Sequence, residues 1–410
     1  MNNDKQEERE DREIPMVGRA TIGVMTGRER MEIAMHPGSG GTVDRVPVMC
    51  QLALGHYFLQ TGLGAVDVWH DTAAFADALI MLQQRYAFDG ILVNLPGRDP
   101  DWRRLVRATE RRGRSTVVHW TDGRFTIAPD DDLPHVYLEA TGRPLALRFA
   151  DVDPDRLFYV EPYDRAGLAY PPPGKFPPWQ WNTIKEVRAR APQVSVHGEV
   201  FSPFSQLMEL VGCTEGMLAL VDDPRKVMAC LARLEAPTIA LARGHFRAGA
   251  DAVLISSAYA GSGFISRRHY ERFVLPFEHA IVDALAAEFP GRPVYTHTCG
   301  AIGDRLDLMV RTGTRGIDTL DPPPLGTVDL ADAKSLLGSR VFIKGNIDPV
   351  NTILRGTPDQ CYRDARARIA IAAPGGGYIL STACSVPPHA PAANILQLVR
   401  AAEDSATSAP

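Results

Sequence analysis

Eight short apolar runs, each separated from the next by other sequence and most by a stretch long enough for a helix, constrain the fold of this chain more than any other feature. They are RVPVMCQL (45–52), DGILVNL (89–95), VSVHGEV (194–200), DAVLISS (251–257), PVYTHT (293–298), TRGID (314–318), VFIKGN (341–346) and GYILST (377–382). Near-continuous apolar runs belong to strands buried on both faces, and parallel pairing of such strands needs a crossover of helix length. The segments 222–249, 267–289 and 357–373 supply it, with apolar residues three and four apart. Eight strands so connected predict the α/β class and a closed (β/α)8 TIM barrel. An open doubly wound sheet is the competing arrangement, but no Gly-rich phosphate loop follows the first run.

Residues 97–193 are too long for one crossover and are read as an insertion after the second strand. Within it STVVHW and RFTIA (115–127) form a hairpin that turns at Asp122-Gly123, and YPPPGKFPPWQW (170–181) is a rigid, Pro-rich loop. The insertion is either a lid or partner-docking surface, or a surface elaboration. The opening MNNDKQEEREDRE lacks the apolar core of a signal peptide, so residues 1–15 are expected to be a disordered tail. One barrel domain is expected over 16–405, with 406–410 as a flexible C-terminus.

The net charge is -5 and arginine is dispersed, which argues against nucleic acid as a partner. No apolar run has the length to cross a bilayer, so no membrane partner and a cytoplasmic location are expected. A homodimer is one allowed assembly. The six cysteines, Cys50, Cys213, Cys230, Cys299, Cys361 and Cys384, are expected to be thiols rather than disulfides. Cys213 and Cys230 read as small buried hydrophobes.

Cys299 and Cys384 read differently. His297 and Cys299 stand two apart at the end of the fifth run, in YTHTCG (295–300), just before a helix expected to begin near Ala301. Side chains two apart on a strand share a face. Cys384, in LSTACSVPPHAP, holds the corresponding place after the last run. Barrel strands deliver their C-terminal ends to one mouth, so the three can converge there. One imidazole and two thiolates make a three-ligand zinc site with an open fourth position, the arrangement of a catalytic zinc. The alternative is three residues packed at strand ends. Glu199 is a fourth ligand or general base, or else caps the helix that starts near Ser202. Tyr259 lines the cavity or is a packed rim aromatic. Asn346 and Asp348, in KGNIDP, orient substrate or contact the histidine from behind, or else form a turn. His389 is expected to face solvent, and His56 and His70 show no partner pattern. The glycines of GGGYIL (375–380) precede a strand rather than a helix and so cannot serve as a phosphate loop.

The chain resembles the uroporphyrinogen decarboxylase superfamily, and within it the zinc-dependent corrinoid methyltransferases. The resemblance runs through TGRERMEIAM and TVDRVPVMCQ (26–51), DDPRKVMACL (222–231), GADAVLISSAYAGSGFISRRHYERFVLPF (249–277), HTCG (297–300), VDLADAKSLLGSRVFIKGNIDPVNTILRGTP (328–358) and GGGYILSTACSVPPHAPAANI (375–395). It implies a (β/α)8 barrel and a zinc ion held by His297, Cys299 and Cys384. It further implies methyl transfer between a small methylated substrate, or a thiol or folate acceptor, and a methylcorrinoid carried by a separate corrinoid protein. The decarboxylases of the superfamily carry an arginine-bearing segment after the first strand and an Asp after the second. Here those places are CQLALGHYFLQTG (50–62), without Arg or Lys, and ILVNLPG (91–97), without a carboxylate. An anionic porphyrinogen would find few partners there. A decarboxylase acting on another substrate, or a non-catalytic corrinoid- or tetrapyrrole-binding protein, are the alternatives.

Overall fold

The computed structural model describes residues 25–143, 147–161 and 175–407. The expected N-terminal tail (1–15), residues 170–174 of the Pro-rich loop and the last three residues lie outside these. The final helix, Ala392–Thr407, continues into the stretch expected as a C-terminal tail.

Strand β1 (Gly90–Val93) is followed by an antiparallel sheet of β2 (Val106–Arg112), β3 (Ser115–Trp120), β4 (Arg124–Pro129) and β5 (His135–Leu138). The parallel run then resumes with β6 (Ser195–Phe201), β7 (Ala252–Ser256), β8 (Val294–His297), β9 (Gly316–Thr319), β10 (Phe342–Ile347) and β11 (Tyr378–Thr382). Strands β1 and β6 to β11 form one curled seven-stranded sheet in chain order, parallel throughout, as in a TIM-like barrel. The first apolar run makes only isolated bridges, Val48 with Leu380 and Leu52 with Val386. Its backbone nevertheless touches both edges of the sheet. Met49 N donates to Leu380 O and Leu380 N to Pro47 O on one side, and Asp89 N donates to Val48 O on the other.

Local signals explain most boundaries. The helix Pro203–Val211 starts where the Ser202 hydroxyl accepts from Ser205 N, and Pro358–Ala372 where Thr357 and Gln360 form a capping box. The helix expected over 267–289 is instead two, Arg267–Phe273 and Leu275–Glu288, because Pro276 has no N–H to continue the ladder. Cys230 is buried as expected, but Cys213, at the start of the helix Cys213–Asp222, is only partly so. Among the described residues no single helix is long and apolar enough to cross a membrane.

The concave side of the sheet is layered. Met49, Leu92, Leu254, Tyr295, Phe342 and Ile379 meet in one buried cluster, closed below by Met31 and Met35. Two residues further along the same six segments stand Gln51, Asn94, Ser256, His297, Lys344 and Ser381. The two-residue period of a strand therefore sets a polar layer above an apolar one, at the C-terminal mouth. The antiparallel sheet reaches this mouth: a side chain at Gly55 would meet Asp131 O at 2.1 Å, and His389 Nε2 lies 3.0 Å from Asp131 Oδ2.

Candidate metal centre

His297 ends β8, Cys299 follows two residues later, and Cys384 lies two residues past β11. Their side chains meet. His297 Nε2 is 3.3 Å from Cys299 Sγ, the two sulfurs are 3.6 Å apart, and all three candidate ligand atoms lie within 4.8 Å of one another. Tetrahedral bonds of about 2.3 Å to sulfur and 2.0–2.1 Å to nitrogen separate two sulfurs by about 3.8 Å and sulfur from nitrogen by about 3.5 Å. The donor set and its spacing therefore fit a zinc ion.

The loops after β7, β8 and β9 are tied together by hydrogen bonds to or from the backbone. Ser257 N donates to His297 O, Thr319 Oγ1 to Thr298 O, and Gly300 N to Asp321 Oδ2, each at 2.7 Å. A Cβ at Gly261 would come within 2.3 Å of Cys299 O, so only glycine lets the loop after β7 pack there. Thr319 and Leu320 hold φ of 81° and 56° at the exit of β9, a strained conformation for non-glycine residues that collects at functional sites.

Behind the histidine lies a contact that the sequence reading did not identify. His297 Nδ1 is 3.1 Å from Asp318 Oδ2, and Lys344 Nζ donates to Asp318 Oδ1 at 3.0 Å, with both partners of that pair 2% exposed. Strand register places them, since His297 and Lys344 both align with Asp318 across adjacent strands. Two signals were available: the acid that ends TRGID and the lone lysine in the apolar run VFIKGN.

Burial opposes charge on His297, but its hydrogen bonds to Asp318 and Cys384 outweigh this and push its pKa up to about 10. Bonding to Cys299 and His297 holds the Cys384 thiol well below the usual value, while Cys299 is driven well above it by the same contact. Burial also raises Asp321 to about 6.

The other expected residues divide. Glu199 does not cap the helix after β6, since Ser202 does. Its carboxylate is buried, lies beside the Ser256 hydroxyl with no hydrogen bond of good geometry among the described residues, and is pushed by burial up to about 7. It lies outside the 4.8 Å cluster. Tyr259 donates to Glu209 and packs edge-on against Phe264, with its ring on the core. Asn346 Nδ2 donates to Leu320 O, and its Oδ1 is buried without a partner among the described residues. Asp348 caps the turn 349–354, the turn-forming role. His389 is 59% exposed. His56 bonds Tyr86 OH and the carbonyls of Pro387 and Pro388, and the half-buried His70 packs against both Trp102 and Trp120.

Glu278 lies one layer further out and accepts from Ser257 Oγ and Tyr270 OH, with burial pushing its carboxyl from 4.5 to about 7. The folded chain therefore binds a proton here that the unfolded chain has released, and the stability this supplies is lost as pH rises from 4.5 to about 7. Glu278→Gln is expected to melt at a higher temperature than the parent at pH 8, with the gap closing toward pH 4.5. Thermal melts across that range check it; an unchanged profile would place the pH dependence elsewhere.

A parallel α/β barrel-like sheet with convergent polar and thiol groups at the C-terminal ends of its strands is the architecture in which TIM-barrel enzymes carry their active sites. The uroporphyrinogen decarboxylase (URO-D) family model matches residues 157–405, more than half of the chain, and the chain belongs to that family. It is 28% identical over 222 residues to a uroporphyrinogen decarboxylase from Chlorobium phaeovibrioides, a match covering 53% of this chain and 58% of that one. A second, from Edwardsiella ictaluri, is 32% identical over 176 residues, covering 42% and 46%. The chain thus spans about half the length of these curated relatives. A methyltransferase from Methanosarcina mazei shares the fold, with a TM-score of 0.67, 18% identity and coverage of 93% of this chain and 99% of that one.

Proposed function

We propose that this chain is a zinc-dependent methyltransferase that moves a methyl group between a small methylated substrate, or a thiol or folate acceptor, and the cobalt of a separate corrinoid protein. The observation that carries this reading is the meeting of one imidazole and two thiols, from two distant strand ends, at the spacing of tetrahedral zinc bonds. When bound, zinc supplies a Lewis acid that holds a thiol deprotonated at neutral pH or polarises the methyl-bearing group.

This chain's residues do the rest. Asp318 holds the proton of His297 on Nδ1, which leaves the Nε2 lone pair directed at the two sulfurs. Lys344 keeps Asp318 ionised in its buried setting. Glu199, buried and with its carboxyl pushed up to about 7, would hold or release a proton in the mouth. The sequence carries no Asp-x-His-x-x-Gly corrinoid motif, so the cobalt centre belongs to a partner. In this reading residues 45–52 are the first strand of a (β/α)8 barrel, and residues 97–193 are an insertion after the second strand of one domain. A centre of free thiolates suits a reducing compartment such as the cytoplasm.

Decarboxylation is the second reading, favoured by the names of the curated relatives. Against it, the 280 Å³ cavity beside Cys384, bordered by Ser385, Gln51 and Asn94, is lined by no Arg or Lys among the described residues. Metal analysis of the purified chain separates the two. About one zinc per chain is expected, with transfer of the methyl group of methylcobalamin to a thiol. Metal content near zero, with no uptake from added zinc, would remove the methyltransferase reading.

A further inference from the structure

The loop that carries Cys384 and the antiparallel sheet enclose the 280 Å³ cavity between them, with Ser385 and Pro388 on one side and Asp131, Asp132 and Leu133 on the other. Gln51, from the first apolar run, and Asn94, one residue past β1, border it from the polar layer. Gln51 is 7% exposed and its backbone is held, with Val386 N donating to Gln51 O at 2.8 Å. Asn94 is half-buried.

Neither carboxamide makes a side-chain hydrogen bond among the described residues. Gln51 Oε1 and Asn94 Oδ1 are buried without a donor, so the two nitrogens are the ends left open. A buried amide without a partner costs stability that a side chain of the same shape without polar atoms would not. Two of them at one cavity point to a ligand that supplies an acceptor. The charge of the walls says which acceptor. Asp131 is paired with Arg114 and His389, both at 3.0 Å, while Asp132 accepts from Leu133 N and has no cationic partner among the described residues. No Arg or Lys lines the cavity among the described residues.

We propose that Gln51 and Asn94 determine specificity by taking the uncharged carbonyl oxygen of a small carboxamide, and that the cavity rejects the carboxylate of equal size. A carbonyl oxygen has two lone pairs and can accept from both amide nitrogens. The ligand's own N–H can then donate toward the aspartates, where a second carboxylate would be repelled and find no counter-charge. The proposal rests on the methyl-transfer reading only for the thiol that such a ligand would carry toward Cys384; the carboxamide end stands by itself.

Calorimetric titration of the full chain with mercaptopropionamide and mercaptopropionate, which match in size, tests this. The parent is expected to bind the amide about tenfold more tightly. Gln51→Arg should bring the two to parity or reverse them, and comparing the ratio between parent and variant cancels the difference in their thiols. Gln51→Met has a similar shape without the amide. It should weaken mercaptopropionamide about fivefold, leave zinc content and propanethiol binding as in the parent, and melt no lower than the parent. Propionamide and propionate carry no thiol, and NMR titration should show the same amide preference in Cys384→Ala, where the thiol cluster is broken. Equal affinities for amide and acid in the parent, or a preference that Gln51→Arg leaves unchanged, would overturn the proposal. So would a lower melting temperature in Gln51→Met with unaltered binding, which makes Gln51 structural. Failure of the methyl-transfer reading gives a different result, a chain without zinc that still prefers propionamide.

Discussion

Cys384→Ala is expected to bring zinc content from about one per chain to near zero and to lower methyl transfer by more than about 100-fold, beyond the 10–100-fold typical of outer-shell changes. The reason is geometric. Cys384 reaches the other two donors only through the curl of the sheet, and its sulfur lies 3.6 Å from that of Cys299. Two remaining donors cannot hold a tetrahedral ion against water and free thiol. Elemental analysis of parent and variant, together with a methylcobalamin-to-thiol assay, measures both effects. Full zinc retention in the variant would show that the ion is held elsewhere. Treating the parent with a chelator should reproduce the activity loss, and added zinc should reverse it in the parent but not in the variant.

Asp318→Asn is expected to weaken zinc binding by about 10–100-fold with all three ligands intact. The side-chain amide can donate to His297 Nδ1 as readily as accept from it, which puts the ring proton on Nε2 and points it at the sulfurs. The same change leaves Lys344 buried without its counter-charge, at a cost of about 3–5 kcal/mol. Adding Lys344→Met should restore much of the melting temperature and none of the zinc affinity. Competition titration with a chelator and thermal melts of the single and double variants measure these separately. Recovery of affinity along with stability would reduce Asp318 to a structural partner of the lysine.

The reach of the amino-acid pattern is clearest in the strands. Seven of the eight apolar runs became strands within a few residues of their expected ends, and the turn at Asp122-Gly123 joins β3 to β4. The first run makes only isolated bridges, yet bonds both edges of the sheet. Burial on both faces writes itself into consecutive residues, so it can be read locally. The same holds for Ser202, Thr357 and Asp348, whose capping partners lie two or three residues away.

What the chain order alone determined about the site was a set of candidates: His297 and Cys299 as near neighbours on one strand face, and Cys384 at a matching strand end. That the three side chains meet, that Asp318 and Lys344 stand behind the histidine, and that Glu199 is buried were decided by tertiary structure. These follow from the register between neighbouring strands and from the curl of the sheet, which bring together residues far apart along the chain. Backbone pairing across strands carries no signature in the residues themselves. The cavity beside Cys384 shows the same limit, since its walls come from the first apolar run, the antiparallel sheet and the loop after β11.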